Sequence, residues 1–315
     1  MSDLKIIILA ATGLVLFLYG IDHFSKEMQS LAGDNLKRIV QKLTRNRVSG
    51  FCVGAFATAM TQSSTAVTVI TLTLVGSGVL TFKGALGVII GSNVGTTITA
   101  QLVALKLTEL APVIILTGAL ISILPFRWKI IGRLIFYFGF LFFGLDLVGD
   151  VLAPLGQDPR ILKFISETTN PYTAILVGIV VTAIVQSSSV VTGLCVVLVQ
   201  SGVLPLSLAV PLVMGSNAGT TVTTIIASVG RDQNTKRTAL AHLIFNVMGV
   251  VVFAPWVVSY TDFLRGLSSD SAQTLAWGHI IFNLAIGLVF LILLRPYAYL
   301  LEKLVPASKP LRPEL

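Results

Sequence analysis

Gln62-Ser63-Ser64-Thr65 returns as Gln186-Ser187-Ser188-Ser189, and Gly91-Ser92-Asn93-Val94-Gly95-Thr96-Thr97 returns as Gly215-Ser216-Asn217-Ala218-Gly219-Thr220-Thr221. The two intervals are equal, 186 − 62 = 124 and 215 − 91 = 124, so no gap separates the motifs in either copy. The chain is duplicated. Each copy embeds hydroxyls, amides and glycines in sequence apolar enough for a bilayer, where non-helical backbone survives only around a cavity or inside protein. That placement points to transport.

Of the 315 residues 54% are apolar and 11% charged, with a mean hydropathy of +0.89; soluble chains carry about 25% charged residues. The composition is that of a polytopic membrane protein. The net charge of +8 lies in short segments between apolar runs, as the positive-inside rule expects, so it does not indicate a nucleic-acid partner. Cys52 and Cys195 sit in apolar runs and are not repeat mates, and His23, His242 and His279 form no ligand spacing. Neither a disulfide framework nor a transition-metal site is expected.

Apolar runs fall at about residues 5–21, 48–80, 84–107, 110–125, 130–149, 172–204, 206–230, 238–258 and 275–294, read against the roughly 20 residues a helix needs to cross. The run after Lys5 resembles a signal peptide, but its end, Gly20-Ile21-Asp22, maps onto Gly144-Leu145-Asp146. It is therefore read as a retained span. Runs 48–80 and 172–204 are too long for one crossing and carry Gln-Ser-Ser near the middle, which predicts a re-entrant hairpin with the motif at its tip. The glycine- and asparagine-rich stretches 91–97 and 215–221 predict local unwinding, a broken helix in each copy.

Lys26, Lys37, Arg38, Lys42, Arg45 and Arg47 mark 22–47 as an inner loop, whereas its counterpart 146–171 carries Asp146, Asp150, Asp158 and Glu167. Opposite loop charge predicts that the copies are inverted, with the N-terminus outside and the C-terminus in the cytoplasm. The expected architecture is an all-α integral membrane protein with two inverted-topology repeats, each holding a re-entrant hairpin and a broken helix. The repeats are placed at 1–129 and 130–258, followed by an extra transmembrane helix at 259–295 and a cytoplasmic tail at 296–315, in which Pro306, Pro310 and Pro313 predict disorder. The expected location is the inner (plasma) membrane.

Inverted tips approach the bilayer midplane from opposite faces. Helices starting after each Gln-Ser-Ser would aim N–H groups at a shared anion, with Ser63, Ser64, Ser187, Ser188 and Ser189 as hydroxyl donors and Gln62 and Gln186 as amide ligands. No lysine or arginine lies within either motif. An uncompensated ion in the interior costs several kcal/mol, so a small hard cation bound by hydroxyl, amide and freed carbonyl oxygens would have to accompany the anion. Close packing of small hydroxyl residues is the alternative reading of the same residues. Asp22 and Asp146, repeat mates at helix ends, read either as cation ligands or as caps. His242/Asn246 and His279/Asn283 stand four apart on helix faces and recur at an interval of 37, 279 − 242; helix-to-helix hydrogen bonding and proton relay are both open.

The paired Gln-Ser-Ser motifs, each followed by Gly-Ser-Asn-x-Gly-Thr, resemble the bacterial branch of the type II sodium/phosphate cotransporter family over most of residues 1–295. The resemblance implies sodium-driven movement of inorganic phosphate by alternating access. It implies substrate contacts from Gln62, Ser63, Ser64, Gln186, Ser187, Ser188 and Ser189, and sodium or substrate contacts from Asn93, Thr96, Thr97, Asn217, Thr220 and Thr221. Thr65 stands where the family has a third serine and joins Asp22 and Asp146 as a candidate sodium ligand. Sodium acts as the coupling ion, no other cofactor is expected, and homo-oligomers stay open. Export of phosphate or another oxyanion is the alternative on the same scaffold, and an intramembrane serine hydrolase is the alternative from another class.

Overall fold

A computed structural model describes residues 3–44, 46–105, 107–125, 127–160, 163 and 170–306. The helices, in chain order, are α1 (Asp3–Leu43), α2 (Arg47–Thr61), α3 (Ser64–Gly76), α4 (Phe82–Ala104), α5 (Ala111–Ser122), α6 (Arg127–Leu152), α7 (Pro171–Val185), α8 (Ser188–Gln200), α9 (Leu206–Ser228), α10 (Gln233–Phe253), α11 (Val257–Arg265), α12 (Ser271–Ile292) and α13 (Leu294–Leu304). No strand occurs among the described residues. Five helical stretches, Leu4–Ala32, Phe82–Ala104, Trp128–Gln157, Gln233–Arg265 and Ser271–Ile292, are long and apolar enough to cross a bilayer. Large apolar side chains such as Ile123 (79% exposed) and Ile184 (76%) point outward, as a lipid-facing surface requires.

The long apolar runs break at the expected place. Asn46 caps α2 by accepting from the N–H groups of Val48 and Ser49, and the helix ends at Gln62 in the left-handed region, φ 51°. Ser63 then caps α3 through Ala66 N–H. Asn170 starts α7, Gln186 (φ 60°) ends it, and Ser187 caps α8 through Val190 N–H. A side chain longer than asparagine in this backbone region is uncommon, and its occurrence in both copies makes the two turns equivalent.

The direction of each helix follows from its glycines. A Cβ on Gly87, Gly91 or Gly95 would overlap the backbone carbonyls of Arg47, Phe51 or Ala55, respectively. Contact numbers rise together, so α2 and α4 run parallel and α3 must return between them. In the second copy Gly215 and Gly219 meet the carbonyls of Ile175 and Ile179 in the same order, so α7, α8 and α9 repeat the path. Conversely, α1 and α6 are antiparallel: a Cβ on Gly20 would sit 2.5 Å from Leu141 N, and one on Gly144 would overlap Phe17 N. Leu141 is the counterpart of Phe17, and Gly144 that of Gly20, so this contact is reciprocal.

Three expectations are corrected. The stretches 91–97 and 215–221 do not unwind; α4 and α9 continue as helix through both. Their glycines admit a neighbouring helix backbone instead of freeing their own carbonyls, a common use of small residues between membrane helices. The supposed inner loop 22–47 is mostly the continuation of α1, a 41-residue helix, in which the charged residues follow the apolar half without a break. The tail is also partly folded: α13 buries Leu294, Tyr297, Ala298 and Leu301, and the Tyr297 hydroxyl donates to Ala241 O. The expected tail beyond residue 306 lies outside the described residues.

Candidate functional site

Both Gln-Ser-Ser turns open into one cavity of about 450 Å³. Its wall includes Gln62, Ser63, Ser64 and Thr65 from the first tip and Gln186, Ser187, Ser188 and Ser189 from the second. The structure thus brings together all seven Gln-Ser-Ser residues that sequence reasoning assigned to substrate, with Thr65 and Asp22 beside them. At each tip one helix ends and the next begins, so carbonyl oxygens and N–H groups lie next to each other. That pairing offers negative partial charge to a cation and positive partial charge to an anion within a few residues.

Sequence reasoning missed the third wall. Because α1 continues past residue 22, it carries Asp22, Ser25, Lys26 and Gln29 along the cavity. Lys26 Nζ donates to Asp22 Oδ2 at 2.6 Å, and Ser25 Oγ reaches the carbonyl of Gln62 at 3.4 Å. The pocket therefore contains a fixed cation, where the motifs alone predicted only neutral ligands. The signal was present as Asp22 and Lys26 at i, i+4 spacing, but it was read as loop charge. Thr99 and Thr223 were missed as well. Thr99 Oγ1 donates to Gln62 Oε1 at 2.7 Å, and Thr223 lines the cavity.

Asn93, Thr96, Thr97, Asn217, Thr220 and Thr221 are buried and do not line this cavity. The four threonine hydroxyls donate to carbonyls of their own helices, Ser92, Val94, Ser216 and Ala218, the back-bonding open to any helical threonine. The asparagines join helices. Asn93 Nδ2 donates to Asn246 Oδ1 while His242 Nε2 lies 3.2 Å from Asn93 Oδ1. Asn217 Nδ2 donates to Asn283 Oδ1 at 2.8 Å while His279 Nε2 lies 3.3 Å from Asn217 Oδ1. The interval of 37 that relates the His/Asn pairs and the interval of 124 that relates the asparagines converge in one duplicated clamp. Hydrogen bonding between helices is thus the role these pairs play in this structure.

Asp146 is separated from Asp22. It lines a second cavity of about 230 Å³ with Thr108, Asp150, Gln200 and Ser201. Among the described residues, no group of three or more His, Cys, Asp and Glu side chains is placed to hold a metal ion.

A duplicated helix–turn–helix with both glutamines facing one cavity is the arrangement against which known proteins can be compared. The model for the Na+/Pi-cotransporter family matches residues 16–150 and 157–293. This chain belongs to that family. It is 33% identical over 309 residues to "Uncharacterized protein YqeW" of Bacillus subtilis (strain 168), covering 96% of this chain and 100% of the relative. It is 24% identical over 290 residues to the protein named "Putative inorganic phosphate export protein YjbB" of Escherichia coli (strain K12), covering 91% of this chain and 53% of that one. A third similarity, 36% over 174 residues, is to the sodium-dependent phosphate transport protein 2B of Rattus norvegicus, covering 50% of this chain and 24% of that protein. The chain thus spans about half the length of the second relative and a quarter of the third. No solved structure matches.

Proposed function

We propose that this chain is a sodium-coupled symporter of inorganic phosphate that works by alternating access, built as two inverted repeats in the inner membrane. The observation that carries the reading is the single cavity lined by both glutamine-bearing tips. Support for inversion comes from the antiparallel, reciprocal contact of α1 with α6 at Gly20/Leu141 and Gly144/Phe17. Support for re-entrant hairpins comes from the brevity of their arms, 15 and 13 residues in each copy, about 20 Å each at 1.5 Å per residue against a hydrocarbon core of about 30 Å.

Phosphate enters with about 1.5 to 2 negative charges. The N-termini of α3 and α8, with Ser64 and Ser188, supply N–H and hydroxyl donors, and Lys26 supplies a positive charge. One lysine leaves the anion under-compensated, and its charge is already shared with Asp22. Sodium ions make up the remainder, drawn to Asp22, the carboxamide oxygens of Gln62 and Gln186, and the carbonyl ends of α2 and α7. Orientation follows the charge pattern, with the N-terminus outside and the C-terminus in the cytoplasm.

Flux of labelled phosphate into proteoliposomes, with the sodium gradient imposed in each direction, tests the reading. Uptake that follows inward sodium supports symport; flux indifferent to sodium removes the coupling. The name of the Escherichia coli relative favours a second reading, export of phosphate on the same scaffold, and outward flux in the reversed gradient separates the two. In variants that insert normally, Gln62→Ala and Gln186→Ala each lower uptake at least tenfold; unchanged uptake in both would contradict the site.

A further inference from the structure

The two tips share their backbone geometry, but the glutamine side chain is held in the first and unbonded in the second. Thr99 Oγ1 donates to Gln62 Oε1 at 2.7 Å, and Gln62 Nε2 donates to the carbonyl of Ala59. The counterparts at the repeat interval are Thr223 and Gln186, and both line the cavity. Thr223 Oγ1 is buried without a hydrogen-bond partner, and the Gln186 side chain, in an exposed residue, makes no hydrogen bond among the described residues. The backbone turns match, with φ of 51° and 60° at the two glutamines and a serine cap on the helix that follows each. A buried hydroxyl left unpaired loses its water without replacement, so this arrangement carries a cost in the second copy that the first avoids.

We propose that Thr223 is a positioning residue that seats Gln186 during the transport cycle: its hydroxyl donates to the Gln186 carboxamide oxygen when the second tip closes on cargo, as Thr99 already does for Gln62. The first tip is then latched and the second unlatched in the present structure, although their sequences permit the same bond. Cargo that draws Gln186 inward satisfies the Thr223 hydroxyl in the same movement, so closure and loading favour one another. In identifying the cargo as phosphate with sodium, this inference rests on the proposed function. The latch itself needs only the second tip and α9.

Removing the hydroxyl at constant shape separates this role from a structural one. Thr223→Val breaks no bond in the unliganded protein, so its thermal stability in detergent stays at or above that of the wild type, while sodium-driven phosphate flux falls roughly five- to tenfold, the worth of one net hydrogen bond. Thr223→Ser keeps the hydroxyl and retains flux. Thr99→Val, which removes a bond already made, lowers both stability and flux. Wild-type flux from Thr223→Val overturns the proposal. A second measurement does not depend on the cargo: in a chain with Cys52 and Cys195 replaced by alanine, Gln186→Cys and Thr223→Cys are combined, oxidised, and the linked peptides sought by mass spectrometry. A disulfide is expected, and its absence both with and without sodium and phosphate overturns the latch. If the wild type carries no phosphate, the proposed function fails and the disulfide alone decides the latch.

Discussion

Lys26 Nζ and Asp22 Oδ2 lie 2.6 Å apart, one helical turn from each other, on the wall of the cavity that both glutamine tips share. The pair neutralises itself when the cavity is empty. Under the proposed function, a bound oxyanion would compete for the ammonium and leave Asp22 freer to attract sodium. One ion pair would then make the two cargoes depend on each other.

Neutralising the lysine tests that dependence. Lys26→Met is expected to raise the KM for phosphate about fivefold, in keeping with the roughly 1 kcal/mol of a solvated ion pair, and Lys26→Arg to restore most of the loss. An unchanged KM in Lys26→Met would show that the ammonium faces water throughout the cycle.

The turn and the carboxamide of Gln186 are separable. Gln186→Gly suits the left-handed backbone better than glutamine does, so the helix pair α7 and α8 persists with unchanged melting temperature. Phosphate uptake is nevertheless expected to fall as far as in Gln186→Ala. Retained uptake in the glycine variant would reduce the glutamine to a cap.

The continuous helices α4 and α9 make a clear stability forecast. A methyl on Gly215 overlaps the carbonyl of Ile175, so Gly215→Ala is expected to cost about 1–3 kcal/mol through forced separation of α7 and α9. The melting temperature in detergent reports it. Gly266→Ala, whose added methyl lies 3.3 Å from Phe263 O, serves as a mild control. An unwound helix at 215–221 would absorb the first change as easily as the second.

Thr224 Oγ1 lies 2.8 Å from His242 Nδ1, whereas His279 Nδ1 is buried without a partner. The counterpart of Thr224 is Ala100, which has no hydroxyl to offer. Thr224→Val should therefore destabilise by about 1–3 kcal/mol, the cost of an unpaired buried group, while Ala100→Ser should stabilise by about 0.5–1 kcal/mol. Paired thermal melts decide; equal melting temperatures for all three proteins would remove the reciprocity.

Asp232 caps α10 through the N–H groups of Asn234 and Thr235 and accepts from the Thr235 hydroxyl. Burial pushes its carboxyl upward, but those hydrogen bonds outweigh burial and hold it below the ordinary 3.8. The folded state favours the carboxylate, so its contribution is complete above about pH 4 and is lost as pH falls through the lowered value. Melts of the wild type and Asp232→Asn are expected to differ at neutral pH and to converge under acid; a constant difference would exclude a charged cap.

The helix breaks at Gln62 and Gln186 were readable from the chain because a glutamine-serine-serine interruption in a run of some 30 apolar residues leaves few other shapes. The duplication also located the second tip once the first was known. Residues 91–97 misled because glycine permits both unwinding and close helix approach, and only the neighbour, here Phe51, decides between them. Charge misled at residues 22–47, since lysines and arginines are compatible with an exposed helix as well as with a loop. The i, i+4 spacing of Asp22 and Lys26 signalled their ion pair, but that the pair faces the cavity follows from tertiary placement. The His242/Asn246 and His279/Asn283 pairs were visible as a repeat, but their targets, Asn93 and Asn217, lay on distant helices.

Gly20 meets Leu141 as Gly144 meets Phe17, so the seam between α1 and α6 is its own complement. A polypeptide of half this length would present both sides of that joint on a single helix, matched in shape to a second, antiparallel copy of itself through an isologous contact. Joining two such molecules end to end adds a linker and requires no new interface. It also frees each half to diverge, which is how a lysine can stand at position 26 while its counterpart, Asp150, bears the opposite sign.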